Sequence, residues 1–357
     1  MTGADDERLA ELTRVRSVAA LPVAGRYRLI DFALSGMVNS GISNVGVTTR
    51  SNYRSLMDHL GSGKEWDLNR KLYGLRILPP YIKGGENYSG DIDILKGISD
   101  FLTHSKQEYV LISNANMIFN PQFDLMREQH IASGADITAM YCQGSISPSG
   151  VKIELDGNKI TDMEICSQYV SDGNGLMGIY FMKKEFLCRQ IAYCVGRGLH
   201  DFVMDVLVRN VDKFKLCGYK YEGFVGRIDS VNSYYSANMA MLDSTVRKEL
   251  FLSKNFIYTK VKDTVPTYYS MDANVTHSVI ADGCRIEGTV ENCILFRGVT
   301  VEKGACLRNC IVMQNSVIQK DAQLDYAVLD KTVTVGAGKR ITGQESFPVI
   351  VGKNIVV

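Results

Sequence analysis

The chain has 357 residues, of which 45% are hydrophobic and 22% are charged, and its formal net charge is +1. This composition is that of a folded globular protein, and the length suits two domains. A charge so near zero predicts no nucleic-acid partner and no membrane partner. There is no apolar run of the ~18 residues that a membrane span requires, and MTGADDERLAEL at the start lacks the basic and apolar regions of a signal peptide.

The nine cysteines are scattered along the chain and include no CxxC pair. Such a distribution favours small buried side chains in a reducing compartment over metal ligands or disulfides. We therefore predict that the protein is cytoplasmic.

Residues 1–245 alternate short apolar strands with amphipathic helices. Strands are predicted at 44–49, 109–113 and 135–141, and helices at 29–41, 91–105 and 121–134. The alternation implies a mainly parallel sheet with helices on both faces. Ligands of such folds lie beyond the carboxyl ends of the strands.

Residues 271–357 have a period of six. Apolar or small side chains recur at this step, with one slip of a residue, at Cys293, Val299, Ala305, Ile311, Val317, Ala322 and Val328. Glycine or asparagine marks the corners, at Gly283, Gly298, Gly304, Asn309, Asn315 and Gly336. This pattern predicts a triangular parallel β-helix, since an antiparallel sheet would not sustain a step of six. Residues 246–270 are predicted to be a linker that crosses one face of the first domain.

Several long motifs resemble a known family. LTRVRSVAALPVAGRYRLIDFALSGMVNSGISNVGVTT resembles the amino-terminal signature of glucose-1-phosphate adenylyltransferases, and MDHLGSGKEWDLNRK, YVLISNANMIF, NGLMGIYFM, LHDF and SYYSANMAML follow in the family's order. The resemblance covers nearly the whole chain, and SLMDHLGSGKEWDL is typical of the D-type regulatory branch of bacterial glycogen synthesis. It implies a Rossmann-like (GT-A-like) mixed sheet with helices on both faces, followed by a left-handed parallel β-helix.

The family's reaction joins glucose 1-phosphate and ATP to give ADP-glucose and pyrophosphate, with Mg²⁺ neutralising phosphate charge. The family's phosphate loop, of the type GGxGTRLxxLT, is here TGADDERLAELT. Of the three glycines in this loop only Gly3 remains, and Asp5, Asp6 and Glu7 would repel a triphosphate. The strand that precedes the loop in the family, which would be central in the sheet, is absent, so we expect the start of the chain to be truncated or mis-assigned.

Four further positions depart from the family's catalytic pattern. Val18 replaces the lysine of RAKPA, and Ile165 replaces the sugar-phosphate lysine of EKP. Asn116 replaces the metal-binding aspartate of SGDHIY, and Arg227 replaces the second metal aspartate, in YWKDVGT. Each change removes a group that binds phosphate or Mg²⁺, so catalytic power is expected to be lost or very weak. Asp229 is a less favoured candidate for a shifted metal ligand.

Four arginines surround the motif GRYRLIDF, namely Arg14, Arg16, Arg26 and Arg28. By resemblance they could bind a phosphorylated effector. The alternative is structural, with these arginines paired to Asp31 or to helix ends.

The resemblance implies a regulatory subunit that activates a catalytic glucose-1-phosphate adenylyltransferase within a hetero-oligomer, expected to be a tetramer. ATP and Mg²⁺ would be used by that partner, and no cofactor or metal is assigned to this chain. Two alternatives stay open from the sequence. The protein could be an active adenylyltransferase with unrecognised ligands, or a stand-alone sugar-phosphate sensor.

Overall fold

The computed structural model describes residues 8–49, 52–79 and 90–357. Its helices are α1 Ala10–Thr13, α2 Leu29–Asn39, α3 Arg54–Leu60, α4 Asp91–Gly97, α5 Ser99–His104, α6 Phe123–Ser133, α7 Lys184–Val195, α8 Val231–Met239 and α9 Ser244–Phe251. Shorter 3-10 turns cover Val18–Ala20, Lys64–Trp66, Val208–Asn210 and Ala240–Leu242, and Val203–Leu207 is π-helical. None of the helices in the described ranges could cross a membrane.

The strands of the first domain are β1 Pro22–Val23, β2 Tyr27–Arg28, β3 Val45–Thr48, β4 Leu75–Leu78, β5 Tyr109–Ser113, β6 Met117–Ile118, β7 Ile137–Ile146, β8 Val151–Asp156, β9 Lys159–Ile165, β10 Val170–Lys183, β11 Leu216–Lys220 and β12 Gly226–Arg227. Six of them form the main sheet, in the order β5-β10-β7-β11-β9-β8. β3 pairs with β4, and β6 pairs with β12.

The main sheet is mixed, as the resemblance implied, but the expectation of mainly parallel pairing is wrong. β10 runs antiparallel to both β5 and β7, β8 runs antiparallel to β9, and only β7 and β11 pair in parallel among its described strands. The reason is the length of the connections, because β7, β8, β9 and β10 are joined by two to four residues each. Such links permit hairpins but no parallel crossover, which needs a dozen or more residues.

Helices cover both faces of the main sheet, as predicted. Alternate side chains of β10 point to opposite sides, so that Phe181 packs in one apolar cluster with Met126 of α6, while Tyr180 and Met182 pack in another with Leu187 of α7. The predicted helix 29–41 is α2, and Gly41 follows it with a φ of +77°. The predicted helix 91–105 is divided at Ile98 into α4 and α5.

The second domain is a parallel β-helix with three faces. Its strands are β13 Tyr268–Tyr269, β14 Asn274–Thr276, β15 Val279–Ile280, β16 Arg285–Ile286, β17 Thr289–Glu291, β18 Ile294–Leu295, β19 Thr300–Val301, β20 Cys306–Arg308, β21 Ile311–Val312, β22 Val317–Ile318, β23 Gln323–Asp325, β24 Ala327–Leu329, β25 Thr334–Val335, β26 Arg340–Thr342 and β27 Val349–Val351. Every third strand stacks in parallel, which makes three five-stranded sheets. The β-helix prediction is confirmed, and its left hand stays a prediction.

Several coils of the β-helix contain 17 residues, one fewer than three steps of six. Thr300 pairs with Val317, and Cys306 pairs with Gln323, each 17 residues further on. One side of each such coil is therefore a residue shorter. The slip comes one position earlier than predicted, because Ser316 is fully buried after Ile311 whereas Val317 is only partly buried. Gly304 and Asn309 turn corners with φ of +78° and +51°, whereas the late corner uses Gly338, with φ of +67°, and not the predicted Gly336.

The segment between the domains begins later than residue 246, because α9 continues to Phe251. Leu250 is fully buried in the first domain, and the Phe251 ring stacks on Tyr27 with centroids 4.9 Å apart. The following residues contact α2. There the Tyr258 N–H donates to Ser35 Oγ (2.8 Å), and Asn39 Nδ2 donates to the Phe256 carbonyl (3.0 Å).

The two domains share one apolar core. Phe296 and Met313 of the β-helix belong to the same buried cluster as Leu21 and Tyr234 of the first domain. The Tyr235 hydroxyl also donates to the Asn309 carbonyl across the junction, at 2.8 Å. Burial of this kind holds the β-helix in a defined position against the first domain.

Candidate functional site

The short sheet of β6 and β12 brings two of the four degenerate positions together. Met117 pairs with Arg227, so Asn116 lies next to the same ladder, just beyond the carboxyl end of β5. The Asn116 carbonyl accepts from the Ile228 N–H (2.8 Å), and Asn116 Nδ2 donates to the Ile228 carbonyl (3.4 Å). The Asn116 side chain is thus tied to the segment that carries Arg227.

Arg227 places a guanidinium close to Asn116, and we call the region around these two residues, which corresponds by resemblance to the family's catalytic cleft, the cleft. Its Nη2 donates to the Leu176 carbonyl, at a point where the pairing of β10 with β7 shifts register between Leu176 and Tyr180. Its positive charge acts on Cys142 of β7. Burial raises the pKa of the Cys142 thiol, and the charge of Arg227 partly opposes that rise. The cleft therefore carries a fixed positive charge of its own.

The residues of the cleft do not fit a Mg²⁺ ion. Mg²⁺ binds through carboxylates and other oxygens, but here the amide of Asn116 is bonded to Ile228 and a cation occupies the Arg227 position. In the described ranges no three His, Cys, Asp or Glu side chains are grouped so as to hold a metal. Asp229 lies at the start of α8, where its N–H donates to Ser233 Oγ at 3.0 Å. A metal there would lie close to the guanidinium two residues away.

The other two degenerate positions lie in different surroundings. Val18 is buried in the core shared by the domains. Ile165 is 37% exposed and pairs with Val151 on β8. The next residue of β8, Lys152, pairs with Gly175 of β10, beside the carbonyl that Arg227 binds. Val18 therefore contributes to packing, whereas Ile165 lies partly exposed on the β8–β9 pair.

The four arginines around GRYRLIDF differ in burial and in their partners. Arg16 is buried, and its Nη2 donates to both carboxylate oxygens of Asp330 in the β-helix, each at 2.8 Å. Arg28 Nη1 donates to the carbonyl (2.6 Å) and hydroxyl (2.9 Å) of Ser55. Arg14 and Arg26 are exposed. Asp31, the expected partner, accepts from the backbone N–H of Arg28 and from His59.

Three basic residues of the β-helix, which the sequence did not single out, lie in the same region. Arg297 lies near Arg28, Lys331 lies near Arg28 and Arg16, and Lys353 lies near Lys331. Burial lowers the Arg28 pKa to about 10, and the charges of Arg16 and Arg297 add to this, while Asp31 and Asp58 oppose it. Burial and the nearby Arg28 and Arg16, together with Lys353, lower the Lys331 pKa to about 7 against the opposing effect of Asp330.

These five residues, which we call the interdomain cation cluster, place several positive charges at a partly desolvated junction. One sequence signal points to it, since Asp330 and Lys331 bring charge into the apolar repeat directly after the buried strand β24. Like charges held this close favour a bound anion.

Comparison with known proteins agrees with this architecture. A family model described as nucleotidyl transferase matches residues 1–244, and one described as GlmU-like, C-terminal hexapeptide matches residues 261–346. The glycogen biosynthesis protein GlgD of Bacillus subtilis (strain 168) is 36% identical over 349 residues, which are 98% of this chain and 93% of that protein. The GlgD protein of Geobacillus stearothermophilus is 40% identical over 301 residues, 84% of this chain and 79% of that protein.

A glucose-1-phosphate adenylyltransferase of Bacillus cereus (strain ATCC 10987 / NRS 248) is 30% identical over 361 aligned positions, and the alignment covers 98% of this chain and 96% of that protein. The chain belongs to the glucose-1-phosphate adenylyltransferase family. Within this family it is similar both to proteins named for glycogen biosynthesis and to proteins named as the enzyme.

For a member of the adenylyltransferase family, the cleft has an unusual charge. The resemblance assigned carboxylates to the two positions that β6 and β12 bring together, and the structure has an amide and a guanidinium there. The family's domain order is kept, with the hexapeptide domain packed on the nucleotidyl transferase domain. The domain order is thus that of the family, whereas Asn116 and Arg227 depart from its chemistry.

Proposed function

We propose that this protein is a non-catalytic or weakly active regulatory subunit that binds a catalytic glucose-1-phosphate adenylyltransferase and raises its activity in glycogen biosynthesis. The observation that carries the proposal is the Arg227 guanidinium bonded to the Leu176 carbonyl beside Asn116. A cleft that supplies a cation and an amide repels the Mg²⁺ on which phosphoryl transfer of this kind depends.

The expected loss of catalytic rate is large enough to favour a non-catalytic subunit over a slow enzyme. Groups that stabilise charge in a transition state are each worth ~2–4 kcal/mol, and 1.4 kcal/mol is a tenfold change in rate. Asn116, Arg227, Val18 and Ile165 all stand where such groups were implied. The losses are not additive within one site, but together they amount to several decades.

The rest of the fold is suited to assembly. The β-helix is complete through five coils, and its core is closely packed by small and branched side chains. An intact fold without an intact cleft is expected if the protein acts by contact with a catalytic homologue. ATP and Mg²⁺ are then used by that partner, within a hetero-oligomer that we expect to be a tetramer.

The interdomain cation cluster supports a second part of the proposal, namely regulation by a phosphorylated effector. Arg28 and Lys331 come from different domains, and both have pKa values lowered by burial and by neighbouring positive charge. A phosphate bound there would relieve this repulsion and stabilise the packing of the domains. Effector binding would then be transmitted to the partner through the relative position of the domains.

The proposal is tested by measuring Mg²⁺-dependent turnover of glucose 1-phosphate and ATP by this protein, by a catalytic homologue, and by the two mixed. We expect no turnover by this protein alone and a several-fold gain in rate on mixing. Turnover by the protein alone that Asp229→Ala abolishes would instead favour an active enzyme with a shifted ligand. No turnover alone and no change on mixing would favour a stand-alone sensor.

A further inference from the structure

A polar groove lies on the outside of the β-helix, at the corner that follows β14, β17 and β20. Its volume is about 660 Å³, and it is lined by Thr276, His277, Glu291, Asn292, Arg308 and Asn309. Small-molecule sites have volumes of ~300–1,000 Å³. The groove shares no residue with the cleft or with the interdomain cation cluster, so a ligand bound here would occupy a separate site.

The corner residues of the groove form a hydrogen-bonded row across neighbouring coils. His277 Nδ1 lies 2.8 Å from Asn292 Oδ1, and Asn292 Nδ2 donates to Asn309 Oδ1 at 2.5 Å. The row ends where Asn309 Nδ2 donates to Asp325 Oδ1 at 3.0 Å. His277, Asn292 and Asn309 have φ of +44°, +53° and +51°, a left-handed conformation that asparagine tolerates well. The turn accounts for the asparagines, and their hydrogen bonds fix the orientation of their amides.

The last acceptor sets the direction of the row. An ionised carboxylate only accepts hydrogen bonds, so Asn309 turns its NH₂ group to Asp325 and its oxygen to Asn292. Asn292 in turn presents its oxygen to His277, which must donate from Nδ1–H. This assignment makes Nε2 of a neutral His277 an acceptor, and each asparagine amide has one further N–H to donate.

The adjoining residues add donors and acceptors without adding net charge. Arg308 Nε donates to Glu291 Oε2 at 3.2 Å, and both side chains are more than half exposed. The Glu291 carboxylate also offers its second oxygen as an acceptor, the Arg308 guanidinium offers its Nη groups as donors, and the Thr276 hydroxyl does both. A phosphate only accepts and would need an excess of cations, whereas each hydroxyl of a sugar both donates and accepts. The mixed, charge-balanced lining therefore favours a neutral sugar.

We propose that this groove binds a short neutral oligosaccharide. Sugar hydroxyls would donate to the Glu291 carboxylate and to Nε2 of His277, and they would accept from Arg308 and from the two asparagine amides. Because the amides are already ordered by their own row of hydrogen bonds, binding requires little further loss of side-chain entropy. The Tyr235 hydroxyl of α8 donates to the Asn309 carbonyl and holds this corner against the first domain. Such a site is independent of the regulatory role proposed above.

The test is isothermal titration calorimetry of the full chain with maltotetraose, a chain of α-1,4-linked glucose, chosen because two relatives are named for glycogen biosynthesis. We expect a Kd on the order of 1 mM. Glu291→Ala should raise this Kd at least about tenfold, because it removes a charged acceptor. Glu287→Ala is the matched control and should leave the Kd unchanged, since Glu287 forms the same kind of surface ion pair with Arg285 on another face of the β-helix.

A second variant, His277→Asn, keeps a side-chain donor for Asn292 and a residue type that tolerates the left-handed turn, but it removes Nε2 and should also weaken binding. No binding of maltotetraose at about 10 mM would overturn the proposal, as would an equal rise in Kd with Glu291→Ala and Glu287→Ala. Inorganic phosphate tests the other ligand class. If phosphate displaces maltotetraose, the groove is an anion site and the proposal is wrong. None of these outcomes depends on turnover or on a partner subunit, so they are distinct from the test of the proposed function.

Discussion

Lys331 is the residue at which charge and burial conflict most clearly. Its pKa is lowered to about 7, whereas a lysine in the unfolded chain titrates near ~10.4. Below pH 7 both states carry the proton, and the folded state bears the full cost of a half-buried charge near Arg28 and Arg16. Between pH 7 and about 10 the unfolded state binds more protons, so this group makes stability rise with pH.

Lys331→Met should therefore stabilise the protein at pH 6.5 and have much less effect at pH 9. A gain of about 2–4 °C in Tm at the lower pH corresponds to roughly 1 kcal/mol for a protein of this size. Sulfate should raise the Tm of the parent protein at pH 6.5 more than that of the variant, because the anion binds the protonated amine. Lys339→Met, at an exposed position of the same domain, serves as the control, and an equal effect of both substitutions would contradict the assignment.

The local composition of the sequence indicated only some of these residues. Asn116 was found by aligning NANMIF with the family's SGDHIY, and Arg227 was found by counting back from the shared ANM at 237–239. Arg16 and Asp330 are 314 positions apart, and no pattern in the sequence connects them before the domains pack. Charge pairs formed by domain packing leave no periodic signal, so the interdomain cation cluster could be recognised only in the structure.

At the scale of elements, β10 shows why a strand can be predicted and its geometry missed. The motif NGLMGIYFM was recognised, but the shift of register in the middle of the strand was not. Gly178 has a φ of +70° there, and a Cβ on it would lie 2.1 Å from Asn114 Nδ2. Glycine at position 178 thus allows β10 to depart from regular pairing with β7. The irregular stretch lies beside Asn114, and it begins at Leu176, whose carbonyl accepts from Arg227.

Gly178→Ala should lower the free energy of unfolding by ~2–3 kcal/mol, from the left-handed backbone and from the displaced Asn114. Gly134→Ala is the matched control, since Gly134 has a φ of +60° with no atom within 4 Å of the added Cβ. It should cost only the backbone term, ~1 kcal/mol. Urea unfolding of both variants measures the difference. If Gly178→Ala costs no more than Gly134→Ala, the contact with Asn114 is unimportant.

Other elements were predicted well because their physics is local. The strand 109–113 coincides with β5, and the helix 121–134 contains α6, which ends at Gly134 as predicted. The six-residue repeat specified the β-helix, since each coil packs on the next through the repeated positions. The direction of pairing in the main sheet depended on how short the connections between β7 and β10 are, and this was not evident from the apolar periodicity.

For the whole molecule, the decisive feature is that the core of the first domain continues into the β-helix. The two parts have different sequence periods and match different family models, which would suggest independent folding units. The structure instead buries Phe296 and Met313 among first-domain side chains and places the Arg16–Asp330 ion pair inside the junction. A buried pair of this kind is costly to break, because removal of one partner leaves an uncompensated charge.

We therefore expect the two domains to unfold in one cooperative transition, and two buried residues of the β-helix can test this. Phe296 packs in the shared core, whereas Leu307 is equally buried but packs only within the β-helix. Both Phe296→Ala and Leu307→Ala should cost ~3–5 kcal/mol. Native-state hydrogen exchange should show that Phe296→Ala also speeds exchange in α2 and α8 of the first domain. Leu307→Ala should change the exchange rates of α2 and α8 no more than its effect on global stability requires. Unchanged exchange in α2 and α8 with Phe296→Ala would mean that the domains are energetically independent, and the route proposed for effector regulation would then be lost.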